Sequence, residues 1–550
     1  MPRPLLLLTI LMQPTSPSAT SPAELWQQWP TARFVEIAAP CLHHRDLVRE
    51  IDRLLATHSR AVEDGLLAAE RIGSSVEGRS IHLVTVGRGP FEVLLWSQMH
   101  GDEPSATPAL LDLAHHLLAR ADAPRIARVL ERLTVRMIPM LNPDGAERYQ
   151  RRNAQGIDVN RDGLRLATPE GRLLDEVRDR YRPELGINLH DQNRRNVVGD
   201  TGVLATNAVL AVAGDEEGTV TPGRRRAMRA CSAIVSSLAP LTAGGVARYD
   251  EDWSPRAFGD NLTARGTPVV LLESGAPPDG GNLAELTRLN FVALAVVLGD
   301  LAADDLAGHD PRLYEELPRN RSDAWADRLV RGARVLLPGI EPFPADVAWN
   351  LERPERALAC RPPVEARSRV TEVGDARFFG AAHEITGDDA LLLPAFTVGA
   401  DGWRARKWLD AGLLERLARL GVGRVRWRVP PSRRAAAETW SRSIAGEGRP
   451  SIELVAERAH LPPLLVRADR PEVEEMPQRL GELLGELAPG LAGTVREVVE
   501  ALWRGQTGPA IRVGAPASFL LVRPAPGGLS ALGEAAVLHV WIDGVRVGPP

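Results

Sequence analysis

The residues best equipped for chemistry are His100 and Glu103, in Met99-His-Gly-Asp-Glu-Pro104. An imidazole and a carboxylate three residues apart fall on one side of a turn and can grip a single cation. Zinc suits such a mixture of nitrogen and oxygen donors. A surface ion pair has the same spacing, so the pair alone leaves both readings open. Further along, His190 follows the candidate strand 186–189, and Glu273 follows the apolar run 269–272. Both positions are where a buried strand would emerge. A histidine there is a metal ligand or a satisfied core side chain, and a carboxylate there is a proton acceptor or half of a strand-end ion pair.

These groups need elements to position them. Apolar runs at 92–98, 134–140, 186–189 and 268–272 predict strands. The stretches 106–120, 170–181 and 283–301 carry the spacing of amphipathic helices packed on a sheet. The alternation from about residue 40 to 305 predicts an α/β domain whose sheet is covered on both faces, with ligands at the carboxyl edge of the strands. A polar segment at 303–325 predicts a boundary, followed by a smaller α+β domain over 325–550. In that second unit, helices are expected at 409–420 and 472–503 and strands at 518–522 and 536–540. Its histidines, His383, His460 and His539, have no ligand spacing, and no catalysis is assigned to it. The Trp- and Arg-rich stretch 403–434 is read as a helix and strand with a solvated basic face, or as a polymer-binding surface.

Composition narrows the class. The chain has 550 residues, 44% hydrophobic and 25% charged, which is enough for two or three domains with cores. A net charge of −5, from 66 Lys+Arg against 71 Asp+Glu, gives no footprint for nucleic acid. Three scattered cysteines, Cys41, Cys231 and Cys360, offer neither a thiolate zinc site nor a disulfide framework. The apolar run 5–12 behind Arg3, followed by small residues to Ala23, predicts a signal peptide over 1–23 and a periplasmic or secreted location. No later stretch is expected to insert stably in a membrane.

Several fragments then follow in order: Asn142-Pro-Asp-Gly145, Arg151-Arg-Asn153, Gly156-Ile-Asp-Val-Asn-Arg161, Asn188-Leu-His-Asp191 and Leu272-Glu-Ser274, with Glu77-Gly-Arg79 upstream. Taken together over residues 40–300, they resemble the M14 family of zinc carboxypeptidases, and its bacterial, exported members most. The resemblance implies a three-layer αβα domain with a mixed sheet over 24–305. It also implies one zinc ion per chain held by His100, Glu103 and His190, with a metal-activated water and Glu273 as general base, then acid. By the same resemblance Arg151, or Arg152 in the next register, stabilises the oxyanion, and Asn160 with Arg161 captures the substrate's terminal carboxylate. Asp158 would accept the other N–H of His100. Arg161 could instead sit in a loop ion pair with Asp162. The family's mobile tyrosine has its nearest candidate in Tyr249, ahead of a segment, 253–261, longer than in the digestive enzymes.

The expected function is therefore hydrolysis of the C-terminal bond of peptides. Two rivals share the site: a murein-type amidase acting on peptidoglycan stem peptides, and an inactive homologue that only binds peptides.

Overall fold

The structure, a computed structural model, describes residues 21–35, 42–249, 252–277 and 283–337, and in the C-terminal part 340–351, 368–387, 391–394, 396–401, 422–445, 451–455, 465–466, 519–523, 536–542 and 545–546. The chain divides into two units at Asp323/Ala324.

The strands of the first unit are β1 (Leu67–Ser74), β2 (Ser80–Gly87), β3 (Phe91–Ser97), β4 (Leu133–Ile138), β5 (Leu185–Asp191), β6 (Val197–Val198), β7 (Asn207–Ala211), β8 (Val246–Arg248) and β9 (Val269–Ser274). Its helices are α1 (Pro22–Ala32), α2 (His44–Thr57), α3 (Ser59–Glu63), α4 (Ala106–Ala119), α5 (Pro124–Arg132), α6 (Pro143–Arg148), α7 (Pro169–Tyr181), α8 (Pro222–Leu238), α9 (Phe258–Ala264), α10 (Leu283–Asp304) and α11 (Pro311–Glu315). Eight strands form one sheet in the order β1-β2-β4-β3-β5-β9-β7-β8. The pairs β4–β3, β3–β5 and β5–β9 are parallel, while β1–β2, β2–β4 and β7–β9 are antiparallel, so the sheet is mixed.

Side chains alternate along each strand, and the alternation separates two cores. Val93, Leu95, Val135, Met137, Ile187, Leu189 and Leu272 face a layer built from α4, α8 and α10. Leu94, Trp96, Ile138, Val269 and Leu271 face the other way, against Leu174 and Val177 of α7 and Phe258 and Leu262 of α9. The three layers follow from this. Because both faces are covered, the central strands read as continuous apolar runs, which is why they are legible in the sequence.

Three features depart from the sequence reading. First, α10 is long and apolar enough to cross a membrane by length and composition, and no such stretch was expected; its apolar window is 83% buried. Leu286, Leu289, Phe291, Val292 and Leu298 of α10 lie in the core, each contributing about 1.5–3 kcal/mol of burial, so it packs as a core helix. Second, the segment after 305 continues the first unit up to Asp323. There the Tyr314 hydroxyl accepts the Ala211 amide at 3.2 Å, and Asn320–Arg321 pairs with β6. Third, the position expected to end a signal peptide, Ala23, lies in the first turn of α1, which Ser21 and Glu24 close with a capping box. Trp29 Nε1 and the Phe34 and Val35 amides donate to the buried carboxylate of Asp112, holding this segment on α4.

In the second unit, 325–337 pairs antiparallel with 340–351 and parallel with 380–386, in a sheet that continues to 519–523 and 536–542. A separate four-stranded sheet is wholly parallel. Within it, Val422–Arg428, the helix Arg434–Ile444 and Ser451–Val455 form a β-α-β crossover. The helices expected at 409–420 and 472–503 lie outside the described residues.

Candidate metal centre

The site gathers at the carboxyl ends of β3, β5 and β9. After β3 the chain turns at Gln98, whose positive φ of 51° is held by two side-chain bonds. Its Nε2 donates to the Gly101 carbonyl at 3.2 Å and its Oε1 accepts from Thr107 at 2.7 Å. This turn delivers His100 and Glu103 ahead of α4. Gly101 makes the approach feasible, since a Cβ there would lie 1.9 Å from the carbonyl carbon of Gly145. The Asn142-Pro-Asp-Gly145 segment braces the same loop. Asn142 caps α6 through the Gly145 amide and donates Nδ2 to the Met99 carbonyl at 3.2 Å. Strand register then sets His190 of β5 directly beside Glu273 of β9.

His100 Nδ1 lies 2.7 Å from Glu103 Oε1, His190 Nδ1 lies 2.6 Å from Glu103 Oε2, and the two Nδ1 atoms are 3.1 Å apart. All three residues are buried. Donors around a tetrahedral ion sit roughly 3.3 Å from one another when each is about 2.0–2.1 Å from the metal. The cluster is therefore only slightly contracted relative to a zinc site. On the far side of the ring, His100 Nε2 donates to Asp158 Oδ1 at 3.0 Å, the support a ligating imidazole ordinarily has. His190 Nε2 is buried with no hydrogen-bond partner, so its ring gains nothing from the present arrangement at that end. Two nitrogens, one carboxylate and no thiolate fit zinc and leave a fourth position open.

Within the cluster, burial disfavours every charge and the partners decide which charges survive. Burial alone would lower His100, but the Glu103 charge and the bonds to Asp158 and Glu103 raise it to about 9. Burial likewise opposes ionisation of Glu103, and the two histidines overcome it, holding the carboxyl far below its usual range. His190 moves the other way, its pKa lowered by burial despite Glu103. Asp158 is held far below its usual range against burial by His100 and by Arg151.

The other expected residues fall as follows. Arg151 donates Nε to Asp158 Oδ2 at 2.9 Å, which aims its NH1 to 3.1 Å from His100 Nδ1. Arg152 is exposed and donates to the Gly156 carbonyl at 3.1 Å, so Arg151 is the arginine at the cluster. Asn160 is buried in a single 3-10 turn, Val159–Arg161, with its amide on Asp158 Oδ1 at 3.0 Å. Its Oδ1 accepts the Phe258 amide at 3.0 Å. Arg161 donates NH1 to the Asn160 carbonyl at 2.8 Å. Asp162 accepts from Ala167 and Thr168, the use of its carboxylate that spacing alone did not suggest. Glu273 is 6% exposed. Tyr249 follows the edge strand β8 and lines a cavity of about 220 Å³ with Leu210, Trp253 and Asp260; none of the three metal donors lines it. Asp144 was not singled out beforehand. It is fully buried and accepts from Ser75, Arg79 and the Glu77 amide, fastening the segment before β2 to α6.

Residues 51–184 match the family model of peptidase M14, zinc carboxypeptidase. That stretch of the first unit is similar to the M14 zinc carboxypeptidases. The M14 match contains His100, Glu103, Arg151 and Asp158, whereas His190 and Glu273 lie beyond it and join the site through the sheet. A probable carboxypeptidase 2 of Arthroderma benhamiae is 32% identical over 120 residues, 22% of this chain and 21% of that protein. Carboxypeptidase D of Mus musculus is 33% identical over 186 residues, 27% of this chain and 13% of that protein. The chain thus spans about a fifth or less of the length of these relatives. A metallo-carboxypeptidase from Burkholderia cenocepacia aligns with 47% of this chain and 69% of its own, at 18% identity and a TM-score of 0.38.

Proposed function

We propose that this chain is a zinc-dependent metallocarboxypeptidase that hydrolyses the C-terminal bond of peptides. The observation that carries the reading is the convergence of His100 Nδ1, His190 Nδ1 and the Glu103 carboxylate in one buried cluster, with Asp158 and Arg151 arranged around it. Zinc held by these three residues supplies a Lewis acid that polarises the scissile carbonyl and makes water a better nucleophile at neutral pH. Glu273, next to His190 across the β5–β9 pairing, takes the proton from the attacking water and returns it to the leaving amine. Arg151 offers NH1 to the oxyanion, held in aim by its Nε bond to Asp158. Asn160 and Arg161 take the free carboxylate of the substrate, which restricts cleavage to the last residue. Tyr249, which follows β8, is the substrate-contacting tyrosine of this reading. Export to the periplasm or exterior belongs to the same proposal and rests on the apolar run 5–12 behind Arg3.

The test is mass spectrometry of linear peptides and of muropeptides incubated with the full chain. Stepwise loss of single C-terminal residues from linear peptides is the expected result. Internal cleavage, or no cleavage of either substrate by zinc-loaded protein, overturns the reading. Turnover of muropeptides alone replaces it with the murein amidase. The same samples from Glu273→Gln protein should show no release while zinc stays bound.

A further inference from the structure

Behind the metal cluster, on the opposite face of the same sheet, runs a chain of buried hydrogen bonds that hydrolysis itself does not use. Leu189 and Leu272 face the α10 layer, so two residues on Asp191 and Ser274 do so too, while His190 and Glu273 between them face the other side. Ser274 Oγ donates to Asn290 Oδ1 at 3.0 Å. Asn290 Nδ2 donates to Ser105 Oγ at 3.0 Å. The Ser105 hydroxyl in turn donates to Asp191 Oδ1, and its amide donates to Asp191 Oδ2 at 3.1 Å. Thr287, one turn before Asn290 on α10, donates to the Ser105 carbonyl at 2.9 Å. Ser105, Ser274, Thr287 and Asn290 are each at most 1% exposed.

Three members of this chain neighbour a member of the site in sequence. Asp191 follows His190, Ser274 follows Glu273, and Ser105 lies two residues after Glu103. Strand pairing already fixes His190 against Glu273. Glu103, by contrast, sits on the loop between β3 and α4, outside the sheet. The bonds from Ser105 to Asp191 and from Asn290 to Ser105 anchor that loop to the strand ends. Asn290 uses both its donor and its acceptor to join the Glu103 segment to the Glu273 segment.

We propose that Asn290 is a positioning residue of the metal centre: from behind the sheet it fixes the spacing of Glu103 against His190 and Glu273, preorganising the ligand set and the base. The inference rests on the metallocarboxypeptidase reading above. Asn290→Leu keeps the side chain's size and deletes both bonds, leaving Ser105 and Ser274 to relax. Supporting residues around metal ligands change metal affinity or activity by about 10–100-fold when lost, and Asn290 acts one step further out, so roughly tenfold weaker zinc binding is expected. The turnover number should fall by a similar factor with KM unchanged, because Asn160 and Arg161 sit on a different segment.

The experiment measures zinc affinity of the full chain by competition with a chromophoric chelator, alongside kcat, KM and thermal unfolding. Val296→Ala, a core truncation on the same helix, is the control for a merely destabilised α10. Thr287→Val, nearly isosteric, repeats the test through the neighbouring bond if Asn290→Leu does not fold. Weakened zinc binding and lower kcat in Asn290→Leu or Thr287→Val, absent from Val296→Ala, is the expected result. Zinc affinity and kcat within twofold of wild type in both network variants overturn the proposal, as does equal weakening in Val296→Ala. Wild-type protein that takes up no zinc overturns the underlying reading as well, and is recognised before any variant is compared.

Discussion

Replacing Asp158 by Asn tests how the site is wired, because this one carboxylate accepts from both His100 and Arg151. Its Oδ1 accepts His100 Nε2 and the Asn160 amide, each at 3.0 Å, and its Oδ2 accepts Arg151 Nε at 2.9 Å. The amide of Asn has one acceptor and one donor in place of two acceptors. In one orientation its NH2 faces the Arg151 N–H, and in the other it faces the His100 N–H, so one charge-assisted bond is lost either way. Such a bond contributes about 1.5–3 kcal/mol. At about 1.4 kcal/mol per tenfold, that is roughly a 10–100-fold change, which agrees with the range for residues that orient metal ligands. Zinc affinity from chelator competition and kcat at saturating zinc separate the two orientations. A loss mainly in affinity places the unmatched donor against His100; a loss mainly in kcat places it against Arg151. Values of both within twofold of wild type would refute the claim that Asp158 aligns either group.

Three further perturbations follow from the geometry. Arg151→Ala should lower kcat by about 100-fold or more, in line with removal of an oxyanion donor, while Arg152→Ala stays near wild type; steady-state kinetics on one peptide compares them directly. His116 is 8% exposed, packs edge-on against Phe291, and burial lowers its pKa to about 4. Its folded pKa is below the unfolded value of 6.5, so its stability contribution is present above pH 6.5 and is lost as pH falls through 4. That gap corresponds to roughly 3 kcal/mol, so urea titrations should show His116→Met losing less stability than wild type between pH 7 and pH 4. Gly101→Ala would drive a Cβ into the Gly145 backbone and should cost about 3 kcal/mol or prevent folding, read as a lowered thermal midpoint.

Much of the first unit was legible because burial on both faces leaves strong patterns. The run 92–98 becomes β3 at Phe91–Ser97, and 106–120 becomes α4 at Ala106–Ala119. The run 283–301 becomes α10, Leu283–Asp304. His100, Glu103, His190 and Glu273 were legible through the ordered fragments that resemble the M14 family, since local spacing and position at strand ends left other readings open for each of them. Other residues join the site only through tertiary packing. Asn290 meets Ser105 across 185 positions, and no local pattern marks an asparagine inside an apolar helix as a link between two serines. The polar segment after 305 read as a boundary because its attachment rests on single anchors, such as the Tyr314 hydroxyl at the end of β7, and not on an apolar periodicity. Residues before 24 read as a leader because the apolar run 5–12 sits behind Arg3 and small residues follow it, yet Ser21 and Pro22 begin a capped helix. The position of Tyr249 depends on where an edge strand of three residues ends, which composition does not encode.

The most direct test of the central claim is a zinc titration of metal-stripped protein, with release of C-terminal residues from a linear peptide followed by mass spectrometry. Activity should be absent at the start, rise linearly, and level off at one zinc per chain, and His190→Ala should abolish the rise. Full peptide release before any zinc is added, or no release after one equivalent has bound, would contradict the assignment of His100, Glu103 and His190 as the metal centre of a carboxypeptidase.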